Sequence, residues 1–262
     1  MAVFADTPVL CGHRGSGRGI VDGRRENTLE SYRAAVAHGL RWVEVDARIT
    51  ADGVLVARHD PSTDDGRFIV DLTAAETDAA GLMRVADLLE DLPPEVALDV
   101  DVKTSLEDAL RPRDRTTAAL VAGLLAARAG GRQVLVTSFD PAALLIVRER
   151  LPAVPLGLLT WTRFPLRKAI PAAVHLGADV LVANVESFPL RGETEPGGER
   201  EIARSVAVAH EAGLEVAAWC PGADVQPELI EAGVDCLVID DVPAHALTGS
   251  PTAAWRASPR TA

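Results

Sequence analysis

Short apolar, β-branched runs alternate with helix-patterned stretches along almost the whole of this chain, and that rhythm restricts its fold more than any other feature. The runs fall at residues 9–12, 42–48, 96–102, 134–137, 155–159, 179–183, 215–219 and 236–239. Helical patterns lie between them, among others at 28–38, 116–129, 141–149 and 200–212. About eight strand–helix units in some 250 residues is the size of a (β/α)8 TIM barrel, an α/β fold. An open doubly wound sheet is the alternative. It would place a Gly-rich dinucleotide fingerprint after the first strand, and Gly12, Gly15, Gly17 and Gly19 do not match one. With 262 residues, 48% of them hydrophobic, the chain can bury one large core. We expect a single domain over residues 1–248, followed by a flexible small-residue tail at 249–262.

The formal net charge is −12, with no evident basic face, which argues against a general nucleic-acid binder. A phosphate-bearing substrate would therefore need local positive charge, such as a bound cation. Cys11, Cys220 and Cys236 lack metal-type spacing and are expected to be reduced, mostly buried thiols. The first residues carry no basic region followed by an apolar stretch, and no run of about 18 apolar residues occurs. The expectation is a cytoplasmic protein without a stable membrane anchor. Residues 60–71 form a polar loop expected above the site, and 186–199 a longer one that could act as a lid.

Residues able to do chemistry gather where the strands should end. His13-Arg14-Gly15 follow the first run, Glu26-Asn27-Thr28 open the first helix, and Glu44 and Asp46 lie in the second run. His59-Asp60 close residues 54–58, and Asp101 and Lys103 close the third run. Side chains two apart on a strand share a face, so Glu44 points with Asp46, and Asp99 with Asp101 and Lys103. Acids on an inward face are costly unless paired with rim arginines or metal-bound. Oxygen donors without cysteine favour a hard cation such as Mg²⁺ or Ca²⁺. A phosphodiester needs its non-bridging oxygens neutralised, which a cation, the planar fork of Arg14 and the point charge of Lys103 can do. His13 and His59 suit proton transfer, as base and acid in either order. The attacking group is either water or the substrate's own 2-hydroxyl.

The ordered set His13-Arg14-Gly15, Glu26-Asn27-Thr28, Glu44-x-Asp46, His59-Asp60, Asp101-x-Lys103, Ser138-Phe139-Asp140, Trp219 and Gly233-Val234-Asp235 resembles the glycerophosphodiester phosphodiesterases. They belong to the phosphatidylinositol-phosphodiesterase-like TIM barrel superfamily. The resemblance covers residues 9–243 and is most specific in the first 60. It implies a (β/α)8 barrel that uses one divalent cation, Mg²⁺ or Ca²⁺, to hydrolyse glycerophosphodiesters to glycerol 3-phosphate and an alcohol. By position it implies His13 and His59 as the acid–base pair, and Glu44, Asp46 and Asp101 as metal ligands. Arg14 and Lys103 become phosphate contacts, Glu26 an acid near the metal or its water, and Trp219 a wall for the glycerol or leaving group.

The chain departs from that pattern in three places. Asp101 stands where the family usually has Glu, and Asp101-Val102-Lys103-Thr104 is similar to the sphingomyelinase D/phospholipase D enzymes. Arg25 replaces a common Pro after a longer segment 16–25, and Cys220-Pro221 follow Trp219. The alternative reading is thus a lyase acting on lysophospholipids, for which a larger apolar entrance would speak. A non-catalytic barrel that binds a phosphorylated ligand is disfavoured, because both histidines are present.

The remaining candidates have structural readings. Asn27 with Glu30 predicts a capping box for the first helix. Ser138-Phe139-Asp140 predicts either a capped helix start with Pro141 in its first turn or a substrate contact. His38, His175, His210 and His245 are expected to be structural, and Trp42 and Trp161 to pack. Asp240 and Asp241 are expected to cap a turn after the last strand.

Overall fold

A computed structural model describes residues 2–5, 7–190 and 201–246. All eight expected runs are strands: β1 Val9–Gly12, β2 Trp42–Ile49, β3 Ala97–Val102, β4 Val134–Ser138, β5 Leu156–Leu159, β6 Val180–Asn184, β7 Glu215–Trp219 and β8 Cys236–Ile239. Each pairs in parallel with the next. The sheet closes because β1 also pairs with β8, from Val9↔Cys236 to Gly12↔Ile239, and with β2 at Cys11↔Trp42. The chain is a (β/α)8 barrel surrounded by helices.

Alternation along each strand divides the core in two. Outward residues such as Val43, Val45, Leu98, Val100, Leu237 and Ile239 pack under the helices. Inward ones, among them Cys11, Trp42, Ala97, Leu135, Val182, Cys236 and Val238, fill the barrel with Val3 and Phe4. The Phe4 ring meets Trp42 edge-on at 5.2 Å, and the backbone N–H groups of Val3 and Phe4 donate to Glu215. The start of the chain thus plugs the amino-terminal end of the barrel. Polar residues are left to the last inward positions at the other end, where barrel enzymes carry their chemistry. Trp42 packs as expected, and the three cysteines are free thiols.

The helix caps agree with the sequence in one case and not in another. Asp140 accepts from Ala142 N–H at 2.9 Å and Pro141 opens Pro141–Arg150, as predicted. The first helix, Leu29–Ala37, is instead capped by Thr28, which accepts from Ser31 N–H. Asn27 sits outside that helix at φ +56°, so the predicted capping box does not form. A small hairpin, Ile20–Val21 with Arg24–Arg25, escaped the sequence pattern, as did the direction, though not the existence, of the strand within residues 54–58. That strand, Leu55–Ala57, turns back antiparallel on the end of β2. The hairpin's strands of two residues are too short for a period of two to show. Most of the expected lid, and the tail at 249–262, lie outside the described residues. Among the described residues no helix is long and apolar enough to cross a membrane.

Candidate active site

β2 and β3 bring the acids together by register. Glu44 pairs with Asp99 and Asp46 with Asp101, and all four side chains are buried. One carboxylate oxygen from each of Glu44, Asp46 and Asp101 falls in a group within 4.8 Å. Glu44 Oε1, Asp46 Oδ1 and Asp101 Oδ1 lack a hydrogen-bond donor, although Asp46 Oδ1 lies 3.0 Å from Lys103 Nζ. Leaving such an oxygen buried and unsatisfied costs about 1–3 kcal/mol. Burial, then Asp46 and Asp101, push the Glu44 carboxyl well above its usual range. Burial also raises Asp101, against the pull of Lys103. For Asp46 burial works the same way, but Lys103 and Arg14 outweigh it and hold the carboxyl low. Three crowded oxygens with more negative charge than their neighbours neutralise fit a hard cation bound by oxygen donors.

Two cations stand beside these acids. Lys103 pairs with Asp101 and Asp46, and those acids with Glu44 outweigh its burial and raise its pKa. Arg14 Nε lies 3.3 Å from Asp46, while Nη1 donates to both Glu26 oxygens at 3.0 and 3.1 Å. Glu26 therefore touches the site through Arg14. Asn27, expected to be a cap, is a site residue. Its Nδ2 donates to Asp46 Oδ2 at 2.8 Å, and its Oδ1 accepts from the Tyr32 hydroxyl at 2.8 Å. The positive φ turns it away from the helix and toward β2.

The two histidines flank the acids from different loops. His13 follows β1, with Nε2 4.0 Å from Glu44 Oε2 and 3.2 Å from Arg14 Nε. Its Nδ1 lies 2.6 Å from Asp240 Oδ1 and 3.6 Å from Cys220 Sγ. Asp240 thus contacts the site, contrary to its expected role as a turn cap. A signal for this was available, since Cys236, Val238 and Asp240 share the parity of inward residues. His59 arrives on the segment returning from Leu55–Ala57. Its carbonyl accepts from Arg48 Nε at 2.9 Å, and its Nδ1 meets Asp60 at 2.9 Å. Burial lowers its pKa, with Asp46 pulling it back up.

A cavity of about 900 Å³ joins these groups, lined by His13, Arg14, Glu44, His59, Asp101 and Lys103, among others. Phe139, Trp161 and Trp219 form its apolar side. Phe139 stacks on Trp161 at 4.3 Å, meets Trp219 edge-on at 6.1 Å, and lies 5.6 Å from Lys103 Nζ. Trp219 lines the cavity. Trp161 is not buried packing, because 67% of it is exposed at the cavity wall. Asp60 and Asp64 also line the cavity, so the loop at 60–71 does reach the site.

Residues 13–244 match the model of the glycerophosphoryl diester phosphodiesterase family. No curated protein matches the sequence significantly. Among solved structures, a glycerophosphodiester phosphodiesterase from Thermotoga maritima superposes with a TM-score of 0.71 at 18% identity, over 92% of this chain and 97% of that one. An Oleispira antarctica phosphodiesterase, solved in complex with the product sn-glycerol-3-phosphate, gives 0.74 at 20% identity over 95% and 100%. A glycerophosphodiester phosphodiesterase from Agrobacterium tumefaciens gives 0.68 at 21% over 92% and 100%.

Proposed function

The chain belongs to the glycerophosphoryl diester phosphodiesterase family and is a hydrolase of glycerophosphodiesters, and we propose that it releases sn-glycerol 3-phosphate and an alcohol with the help of one divalent cation, Mg²⁺ or Ca²⁺. The observation that carries this reading is the cluster of three buried carboxylates, Glu44, Asp46 and Asp101, each with an oxygen that accepts no hydrogen bond, set between two cationic and two imidazole side chains. Those three acids would hold the cation, which supplies Lewis-acid neutralisation of the phosphoryl oxygens when bound.

The chain's own residues do the rest. Arg14, anchored through Nη1 on Glu26, brings its positive charge and its remaining Nη2 donors to a non-bridging oxygen. Lys103 adds a point charge from β3. One of His13 and His59 takes the proton of the attacking water, or of the glycerol 2-hydroxyl if a cyclic phosphate forms first and water then opens it, while the other gives a proton to the departing alkoxide, each contributing about 10²–10⁴-fold. Phe139, Trp161 and Trp219 form a wall that excludes water from one side and receives the glycerol or the leaving alcohol.

One observation favours a second reading. Ile20 and Trp161, both lining the cavity, are 73% and 67% exposed and offer two apolar contacts to the acyl chain of a lysophospholipid, beside the charged Arg18, Arg25, Arg58, Asp60 and Asp64.

The test is release of glycerol 3-phosphate from glycerophosphocholine with Mg²⁺, Ca²⁺ or EDTA, with a lysophospholipid alongside and its product examined for cyclic phosphate. Cation-dependent glycerol 3-phosphate supports the first reading, and cyclic phosphate from the lipid alone replaces it with the second. His13→Ala and His59→Ala should each lower kcat by at least about 10². Near-wild-type turnover would remove that histidine from the chemistry.

A further inference from the structure

We infer that His13 Nδ1, Cys220 Sγ and a carboxylate oxygen of Asp240 form a second cation site, suited to an ion of the Zn²⁺ class, and that filling it stops turnover. It shares no ligand with the three acids. The inhibitory effect rests on His13 being one of the two proton-transfer groups, whereas the site itself does not. One donor atom from each of the three residues lies within 4.8 Å of the others. They come from the loops after β1, β7 and β8, so no spacing along the chain could show them. Both outer loops are pinned to β8. His13 N–H donates to Ile239 carbonyl at 3.1 Å, and Cys220 N–H to Val238 carbonyl at 2.9 Å. Cys220 has φ +56°, a conformation that residues with a Cβ rarely adopt, and from it the thiol reaches 3.6 Å from Nδ1.

The distances suit a tetrahedral ion. With Zn–S of about 2.3 Å and Zn–N of about 2.0–2.1 Å, the sulfur–nitrogen edge of a tetrahedron is about 3.6 Å. That is the separation of Cys220 Sγ and His13 Nδ1. The nitrogen–oxygen edge is about 3.4 Å, longer than the 2.6 Å between Nδ1 and Asp240 Oδ1, so the ion has to open that hydrogen bond. The Asp240 side chain is partly exposed and has room to turn. Donor chemistry separates the two sites. Thiolate and imidazole favour Zn²⁺ and its neighbours, while three carboxylates favour Mg²⁺ or Ca²⁺. Burial, then Asp240, raise the Cys220 thiol well above its usual range, so the ion must displace its proton to bind. His13 and Cys220 both line the cavity, which gives the ion its path from solvent.

Occupation would silence His13 through its own ring. A neutral imidazole keeps one hydrogen, which must sit on Nε2 when Nδ1 binds the ion. The thiol proton leaves to solvent, and the imidazole gains no charge. Nε2 is the atom that lies 4.0 Å from Glu44 and 3.2 Å from Arg14 Nε. With a hydrogen there the ring can no longer take up a proton. A base must do so on attack and an acid must do so to be restored, so either role is blocked. The Nε2 hydrogen would also face the Arg14 Nε donor and push the guanidinium off its place.

The test titrates Co²⁺, a spectroscopic substitute for Zn²⁺, into the full chain with Mg²⁺ in excess. A thiolate-to-cobalt charge-transfer band should appear with one ion per chain and disappear when Zn²⁺ is added. Cys220→Ser should lose the band, and Asp101→Asn, which lacks a ligand of the other site, should keep it. Cys11 and Cys236 are sealed in the barrel and cannot supply it. On glycerophosphocholine at saturating Mg²⁺ or Ca²⁺, Zn²⁺ should inhibit the wild type, and Cys220→Ser should need at least about tenfold more Zn²⁺ for the same inhibition. Should Cys220→Ser fail to fold, protection of Cys220 from alkylation by Zn²⁺ in the wild type replaces it. Absence of the band, its persistence in Cys220→Ser, or alkylation of Cys220 unaffected by Zn²⁺ overturns the site. Full turnover with the band present overturns the inhibition. If the wild type turns over no glycerophosphodiester, the phosphodiesterase reading fails, and the band alone decides the site.

Discussion

Asn27 Nδ2 donates to Asp46 Oδ2 at 2.8 Å from a backbone in the left-handed region, so one short polar side chain orients a carboxylate at the floor of the site. Its Oδ1 is taken by the Tyr32 hydroxyl, which fixes the amide against rotation. Asn→Ala there removes a donor and an acceptor that are both buried. Asn27→Ala should destabilise the fold by about 1–3 kcal/mol in urea denaturation and weaken cation-supported activity. A loss under about 0.5 kcal/mol would mean that the contact is idle.

The acid cluster predicts a coupling between cation and stability. Mg²⁺ or Ca²⁺ at about 100 times its Kd should stabilise the fold by about 2.7 kcal/mol, seen as a rise in Tm. Asp101→Asn and Glu44→Gln should abolish that rise. Without cation, Glu44→Gln should be neutral or stabilising, because burial and the neighbouring acids already favour an uncharged side chain there. If both variants keep the full cation response, the cation binds elsewhere.

Asp99 gives stability a pH dependence of definite sign. Burial raises its carboxyl to about 8, with the Thr137 hydroxyl bond at 2.8 Å pulling the other way. Between about 4 and 8 the unfolded chain has lost this proton and the folded chain has kept it. Fewer protons are then bound on unfolding, so in EDTA stability should fall as pH rises through that window, by up to about 1.4 kcal/mol per pH unit from this one group. Asp99→Asn should flatten that slope, and an unchanged slope would show that Asp99 is ionised in the fold.

The aromatic wall should act on binding more than on folding. Trp161→Ala leaves the core untouched and should cost about 0.5–1.5 kcal/mol of stability, the worth of its stack on Phe139. KM for glycerophosphocholine should rise because a wall of the cavity is removed, with kcat nearly constant. Phe139→Ala should do more, since it also removes the ring near Lys103. A fall in kcat at unchanged KM for Trp161→Ala would place Trp161 in the chemistry.

Much of the site was legible because it lies on strands. Glu44 with Asp46, and Asp99 with Asp101 and Lys103, could be put on one face each by counting in twos, and β2 and β3 do place them inward. His13, Arg14, Glu26, His59 and Trp219 also reach the cavity where their positions at element ends predicted. Asn27 was misread because Asn three residues before an acid is a capping pattern, and only the positive φ shows that Thr28 takes the cap. Trp161 packs on Phe139, but at the exposed wall of the cavity, a placement that no local pattern shows.

By itself the sequence determined the number of strand–helix units and the face on which each strand's acids lie, because side-chain parity is a local property of extended backbone. Tertiary structure decided which strands are neighbours. Asp240 is 227 residues from His13, and nothing local to either segment couples them. Closing the barrel brings β8 against β1 and sets the two side chains at the same height. The return of Leu55–Ala57 along β2 delivers His59 to the acids in the same way. Such meetings depend on the stagger and closure of the whole sheet, which no short stretch of chain contains.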